Sequence, residues 1–279
     1  MSMFSGGGPM KPRLATMTVF FLCGWMMAQP SSCFESEVSS KPGRPAMTNG
    51  ADPTQCGVLE LEYGFEGNWA GASHGSALAG GLRFGITPNL DFHWSAGDFL
   101  SVKDRDGDRS GYGDNWLGFA YRYVKQTKYG PSLGVMYMAK VPTGSPDQDL
   151  GSGEVDHALT FIVSKDIQRV HLDFNMGPQW TGVAHAAPDR NVALSMAGSL
   201  PVSRRATLVL ESYGETGTNA ATPGYVSLVT GCSVQVHPRL YLDAGYDNGI
   251  TAAGSARRVF AGITVAAGNV YRWVRPRDL

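Results

Sequence analysis

The chain has 279 residues, with 23 Lys and Arg against 24 Asp and Glu and a formal net charge of −1, a balance that argues against an electrostatic nucleic-acid binder. Charged residues make up only 17% of it and glycine takes 36 positions, which is charge-poor and glycine-rich beside an average soluble domain. Its one long apolar run, Leu14–Ala28, falls short of the ~20 residues a spanning helix needs, so all-β architectures remain, soluble or membrane-inserted.

The first element in chain order is an address. Lys11 and Arg13 precede LATMTVFFLCGWMMA, after which QPSS turns polar; a basic stretch followed by an apolar core of this length predicts a secretory signal peptide over 1–28 and hence export. Residues 29–56 (with SSKPGRPAMTNGADPTQ at their centre) carry Ser, Pro and Gly without periodicity, which predicts a flexible periplasmic leader. Beyond the signal remain Cys33, Cys56 and Cys232. A Cys33–Cys56 bridge suits an oxidising compartment, and so do unpaired small residues.

From Val58 onward the pattern has period two. Leu59, Leu61, Tyr63 and Phe65 alternate with Glu60, Glu62 and Glu66; Leu90, Phe92 and Trp94 with Asp91, His93 and Ser95; Val170, Leu172, Phe174 and Met176 with His171, Asp173 and Asn175. Successive strand residues point to opposite faces, so each segment has one apolar and one polar face. Twelve such strands are predicted, at about 57–67, 76–87, 89–101, 114–127, 131–142, 154–166, 169–181, 190–201, 205–214, 224–236, 239–247 and 256–266. Short turns (Thr87-Pro88-Asn89, Lys128-Tyr129-Gly130, Asp166-Ile167-Gln168, Val202-Ser203-Arg204, His237-Pro238-Arg239) alternate with long polar stretches such as 103–113, 143–153 and 215–224. That rhythm belongs to outer-membrane barrels, whose sheet must close because unpaired backbone groups are too costly in lipid. The expected fold is therefore all-β: a closed antiparallel transmembrane β-barrel of about 12 strands over 57–268, with short periplasmic turns, longer extracellular loops and a C-terminal tail at 269–279. A periplasmic β-sandwich would also alternate. Against it stand the long–short rhythm and the outward aromatics near strand ends: Tyr63, Phe84, Trp94, Tyr121, Tyr123 and Tyr246.

LRFGITPNLDF (Leu82–Phe92), KVPTG (Lys140–Gly144), LVLESYGE (Leu208–Glu215) and VHPRLYLDAGYDNG (Val236–Gly249), in this order and spacing, resemble the outer-membrane proteins of the meta-pathway of phenol degradation family. The resemblance covers about Gly57–Gly268 and implies an outer-membrane channel that takes up aromatic or other hydrophobic small molecules. The end departs from the pattern, since such barrels finish in a strand with a terminal aromatic, whereas here Val270–Leu279 follow the last strand.

With the apolar face toward lipid, the opposite face points inward and predicts a pore lined by Glu60, Glu62, Arg83, Asp91, His93, Arg122, Lys140, Asp156, His171, Asp173, Glu211, Asp243 and Arg258, with Glu66 and Asp247 beside them. Charges of both signs in a narrow lumen must be hydrated or paired. They can brace the barrel as an ion-pair network, tune selectivity at a constriction, or do both. A twelve-strand barrel is wider than the eight-strand kind filled by side chains and narrower than porins of 16–18 strands, which predicts passage of small solutes only.

No catalytic residue, metal or cofactor is expected. Asp104-Arg105-Asp106-Gly107-Asp108 departs from a calcium loop in its glycine position and lacks the closing Glu; the histidines show no ligand spacing, and no GxSxG occurs. The partners implied are outer-membrane lipid and a small-molecule solute, not nucleic acid. The function expected is passive diffusion of small hydrophobic or aromatic molecules across the bacterial outer membrane. The alternatives are a barrel enzyme of the lipase or phospholipase type, or a structural barrel without transport.

Overall fold

Alternation of apolar and polar residues carries straight into strands. The computed structural model describes residues 30–71, 73–104, 107–218, 222–251 and 256–274; the signal peptide expected at 1–28 lies outside them. Among the described residues the strands are β1 (Val58–Ala70), β2 (Ser73–Gly85), β3 (Leu90–Asp104), β4 (Gly107–Tyr112), β5 (Asn115–Val124), β6 (Ser132–Val141), β7 (Asp156–Ile167), β8 (Val170–Thr181), β9 (Asp189–Pro201), β10 (Ala206–Glu215), β11 (Tyr225–His237), β12 (Leu240–Gly249) and β13 (Arg257–Asn269).

All form one sheet, in the order β2-β1-β13-β12-β11-β10-β9-β8-β7-β6-β5-β3-β4, and β2 also pairs with β3. That last pairing closes the sheet into a ring of twelve antiparallel staves, and β4 is a short addition to the outer half of β3. The seam between the first and last strands is continuous, from Val58↔Asn269 to Trp69↔Arg257. Closure leaves no stave with a bare edge, which hydrocarbon demands, and a two-sheet sandwich is thereby excluded.

Exposure is inverted relative to a soluble protein. On β1, Phe65 is 58% exposed while Glu60 is 0% exposed. Leu61, Tyr63, Leu208, Leu210, Leu242 and Ile263 likewise face outward, and Asp91, Asp173, Glu211 and Asp243 are buried inside. This is a transmembrane barrel of the outer-membrane type.

The short turns fall where expected, between β2–β3, β5–β6, β7–β8, β9–β10 and β11–β12. Two connections at the other end differ from expectation. Strands β1 and β2 run further than the apolar pattern, β1 to Ala70 and β2 from Ser73. The stretch 103–113 is not a loop throughout: it carries the β3–β4 hairpin, held by Lys103–Asp108 (2.9 Å) and Arg109–Asp104 (2.7 Å). This hairpin carries polar residues on both faces, so hydrophobic periodicity has nothing to reveal there.

The leader departs most from expectation. It is not a free segment: from Val38 onward buried residues such as Val38, Ser40, Thr48, Ala51 and Thr54 are interspersed with exposed ones inside the barrel, and Cys33 and Cys56 form a disulfide that closes residues 33–56 into a loop. Both ends of that loop sit beside the start of β1. After β13 the chain forms a short helix, Val270–Val274. Its Tyr271 hydroxyl donates to the Ile86 carbonyl (2.7 Å) and its ring packs on Phe34 and Phe84, burying the disulfide beneath it.

Candidate functional site in the lumen

Going round the ring from β1, the staves follow as β13, β12, β11, β10, β9, β8, β7, β6, β5, β3 and β2. The leader loop meets them in that same order. The Lys41 and Gly43 N–H groups donate to Glu60 and Glu62 of β1, both at 2.7 Å, and Arg44 Nε donates to Asp243 of β12 at 3.1 Å. Glu211 of β10 accepts from the Met47 N–H (2.8 Å) and the Thr48 N–H (2.6 Å). Asn49 exchanges two backbone–amide hydrogen bonds with Asn175 of β8 (2.7 and 2.8 Å). The Ala51 N–H donates to Ser164 of β7 (2.8 Å), Asp52 pairs with Arg122 of β5, and the Thr54 N–H donates to Asp91 of β3 (3.0 Å). The loop thus makes one circuit of the inner wall as a collar. Half of these bonds run from backbone N–H to carboxylate, the charge-assisted and stronger class.

Glycine makes room for it. Gly64 and Gly262 are cross-strand partners on β1 and β13, and a Cβ on either would fall 2.5 Å from the Arg44 guanidinium. Two facing glycines leave a niche in which Arg44 also lies 5.6 Å from the Phe260 ring centre, within reach of a cation–π contact.

Inside the collar is a cavity of ≈ 380 Å³, bounded by leader residues between Lys41 and Pro53 and by Arg83, Asp91, His93, Arg122, His171 and Asp173 of the wall. Arg83 is held by Glu60, Glu62 and the Lys41 carbonyl. His93 lies 3.3 Å from Asp91. Both ring nitrogens of His171 face carboxylates, Asp166 at 2.6 Å and Asp173 at 3.2 Å, and Ser164 donates to Asp173 instead of to this ring.

Toward the extracellular end the wall pairs with itself. Arg258 reaches Glu66 (3.0 Å) and Asp247 (3.1 Å), and Tyr213 donates to Asp247 (2.6 Å). These groups line a second, more open space of ≈ 390 Å³ with Tyr225. Elsewhere on this half, Lys140 contacts Asp156 (2.6 Å), Asp114 (3.5 Å) and Ser152 (2.6 Å). Asp114, in the connection before β5, also accepts the N–H groups of Thr143, Gly144 and Ser152 at 2.9–3.2 Å. Burial pushes its carboxyl up, but the Gly144 and Ser152 donors and the Lys140 ammonium outweigh that and hold it below the usual carboxylate range.

The expected lining residues therefore divide into two groups. Glu60, Glu62, Arg83, Asp91, His93, Arg122, His171, Asp173, Glu211 and Asp243 surround the collar or its cavity, and Lys140, Asp156 and Arg258 belong to the extracellular half. Arg44, Thr48, Asn49 and Asp52 of the leader, and Ser164 and Asn175 of the wall, complete the site without having been expected there. One signal could have found them: the inward face carries more carboxylates than bases, and buried carboxylates need donors from somewhere.

A family model, described as "Putative MetA-pathway of phenol degradation", matches residues 57–267. No curated protein sequence matches the chain. Among solved structures, an outer membrane channel from Pseudomonas putida F1 is similar with TM-score 0.60 and 15% identity, over 81% of this chain and 99% of that one. The NanC porin matches with TM-score 0.52 and 9% identity, over 74% and 98%. The translocator domain of the autotransporter NalP from Neisseria meningitidis matches with TM-score 0.53 and 11% identity, over 90% and 95%. The fold is thus one shared by outer-membrane channels, porins and translocators. With the family model running from the start of β1 almost to the end of β13, the chain belongs to the phenol-degradation MetA-pathway family of outer-membrane β-barrels.

Proposed function

We propose that the chain is a passive outer-membrane channel for small hydrophobic or aromatic molecules, with the leader collar as its throat. The observation that carries this reading is the ≈ 380 Å³ cavity encircled by the collar inside a closed barrel, a size at the lower end of small-molecule sites of roughly 300–1,000 Å³. The family's pathway description and a similar solved structure named as an outer membrane channel support it. Glu60, Glu62, Arg83, Asp91, His93, Arg122, His171, Asp173, Glu211 and Asp243 form the narrow level of the path, and Lys140, Asp156 and Arg258 its outer vestibule. A hydrolase reading gains no support from the collar: with carboxylates at both nitrogens of His171, that ring has none left to activate Ser164.

Liposome swelling with a graded panel of sugars and aromatic acids tests the reading. Proteoliposomes should admit monoaromatic acids and the smallest sugars and exclude disaccharides. Equal swelling of proteoliposomes and empty liposomes for every solute would overturn it, and ester or phospholipid hydrolysis by the detergent-solubilised protein would replace it with the enzyme reading.

A further inference from the structure

The short-turn end of the barrel carries a pattern that transport does not use. At four of its five turns a lipid-facing apolar residue is followed within three positions by an exposed base: Val124 by Lys125, Ile167 by Arg169, Val202 by Arg204 and Arg205, and Val236 by Arg239. The helix after β13 repeats it, with exposed Arg272 beside exposed Trp273 and Val274. Only the β2–β3 turn, Thr87–Asn89, has no charge of its own. The exposed acids at this end are fewer than the bases: Asp166 is engaged by His171 and Gln126, and Glu35 and Glu37 lie in the leader. The extracellular end is more mixed: Lys103 and Arg109 are matched by Asp108 and Asp104, Asp147 stands exposed, and the exposed bases Arg190 and Arg257 lie at the starts of β9 and β13.

Bases that begin where the apolar belt ends sit at headgroup depth. Arg and Lys there attract anionic lipid, by roughly fivefold in affinity for each base near the surface, and an interfacial Trp fixes the level. We infer that this basic rim is a binding surface for anionic phospholipid headgroups of the periplasmic leaflet, continuous with the lipid-facing belt. The inference is independent of the channel reading.

The test uses the full-length processed protein folded in detergent and incubated with phosphatidylglycerol or phosphatidylcholine, with retained lipid measured by native mass spectrometry. At low salt the wild type should retain at least about fivefold more phosphatidylglycerol, and ~0.5 M salt should abolish the preference. R204Q/R205Q, which leaves the backbone bonds of that turn in place, should reduce it several-fold, while K103Q at the other end should not. Equal retention of the two lipids, a preference that survives salt, or an equal effect of K103Q would overturn the proposal. So would a rim variant that changes anion flux in planar bilayers while lipid retention stays at the wild-type level, because the rim would then steer solutes.

Discussion

The two halves of the lumen satisfy the same kind of side chain in opposite ways. Near the short turns, Glu60, Glu62, Glu211 and Asp91 accept from the backbone of the leader. In the extracellular half, Glu66, Asp247 and Asp156 are matched by Arg258 and Lys140 of the wall itself. The first half is a receptor that is incomplete without its insert, and the second is braced mainly from the wall, the leader reaching it only through Arg44 and Glu66 at 3.9 Å. An inward charge on a barrel strand is therefore not one kind of thing. Its role depends on whether its partner comes from the wall or from the inserted leader.

The largest effect should come from removing the insert. Deleting residues 34–55 together with Cys33→Ser and Cys56→Ser should raise single-channel conductance several-fold while heat-modifiable migration on gels persists; unchanged conductance would mean that the collar does not limit the path. Arg258→Ala strikes the other half, leaving Asp247 without its cation and Glu66 with only the longer contact to Arg44 (3.9 Å). It should cost about 3 kcal/mol of barrel stability, as for a broken buried pair, in denaturant titrations, with small-solute flux retained. A smaller cost is expected from Gly64→Val, which fills the Arg44 niche: about 1–3 kcal/mol from overpacking, with conductance shifted toward that of the deletion because Arg44 must leave. If the substitution lowers stability and leaves conductance untouched, the niche does not position the collar.

The mildest test is titration of Asp114. Its folded carboxyl lies below the ordinary value of about 4, so its contribution is present above the unfolded pKa and is lost as pH falls through the lower folded one. Hydrogen exchange at Thr143, Gly144 and Ser152 should stay slow down to about pH 4, speed up only below that, and be fast at neutral pH in Asp114→Asn. Rapid exchange of the wild type at neutral pH would show that this carboxylate does not hold the loop.

Much of the barrel was legible in the sequence because lipid enforces a strict period. All twelve staves fall where alternation of residues such as Leu61, Tyr63 and Phe65 with Glu60, Glu62 and Glu66 puts them. The same rule explains what was missed. Strand β4 and the outer ends of β1 and β2 carry mostly polar or small residues on both faces, Trp69 and Tyr112 apart. The collar has no period at all, because its N–H groups go to side chains of many different strands and not to a ladder. The inward residues were found because direction is a property of one strand. That Glu211 serves Met47 and Thr48 could not be read, since partners 163 positions apart along the chain meet only once the leader is inside the ring.

The collar's dependence on main-chain donors carries a consequence for how such a protein can diversify. Because Lys41, Gly43, Met47, Ala51 and Thr54 are held through their amides, the identities of several of their side chains are not what keeps the segment in place. Staves and insert are then free to drift at different rates: a barrel that keeps its few acidic anchor points can take new side chains at the positions a passing molecule meets.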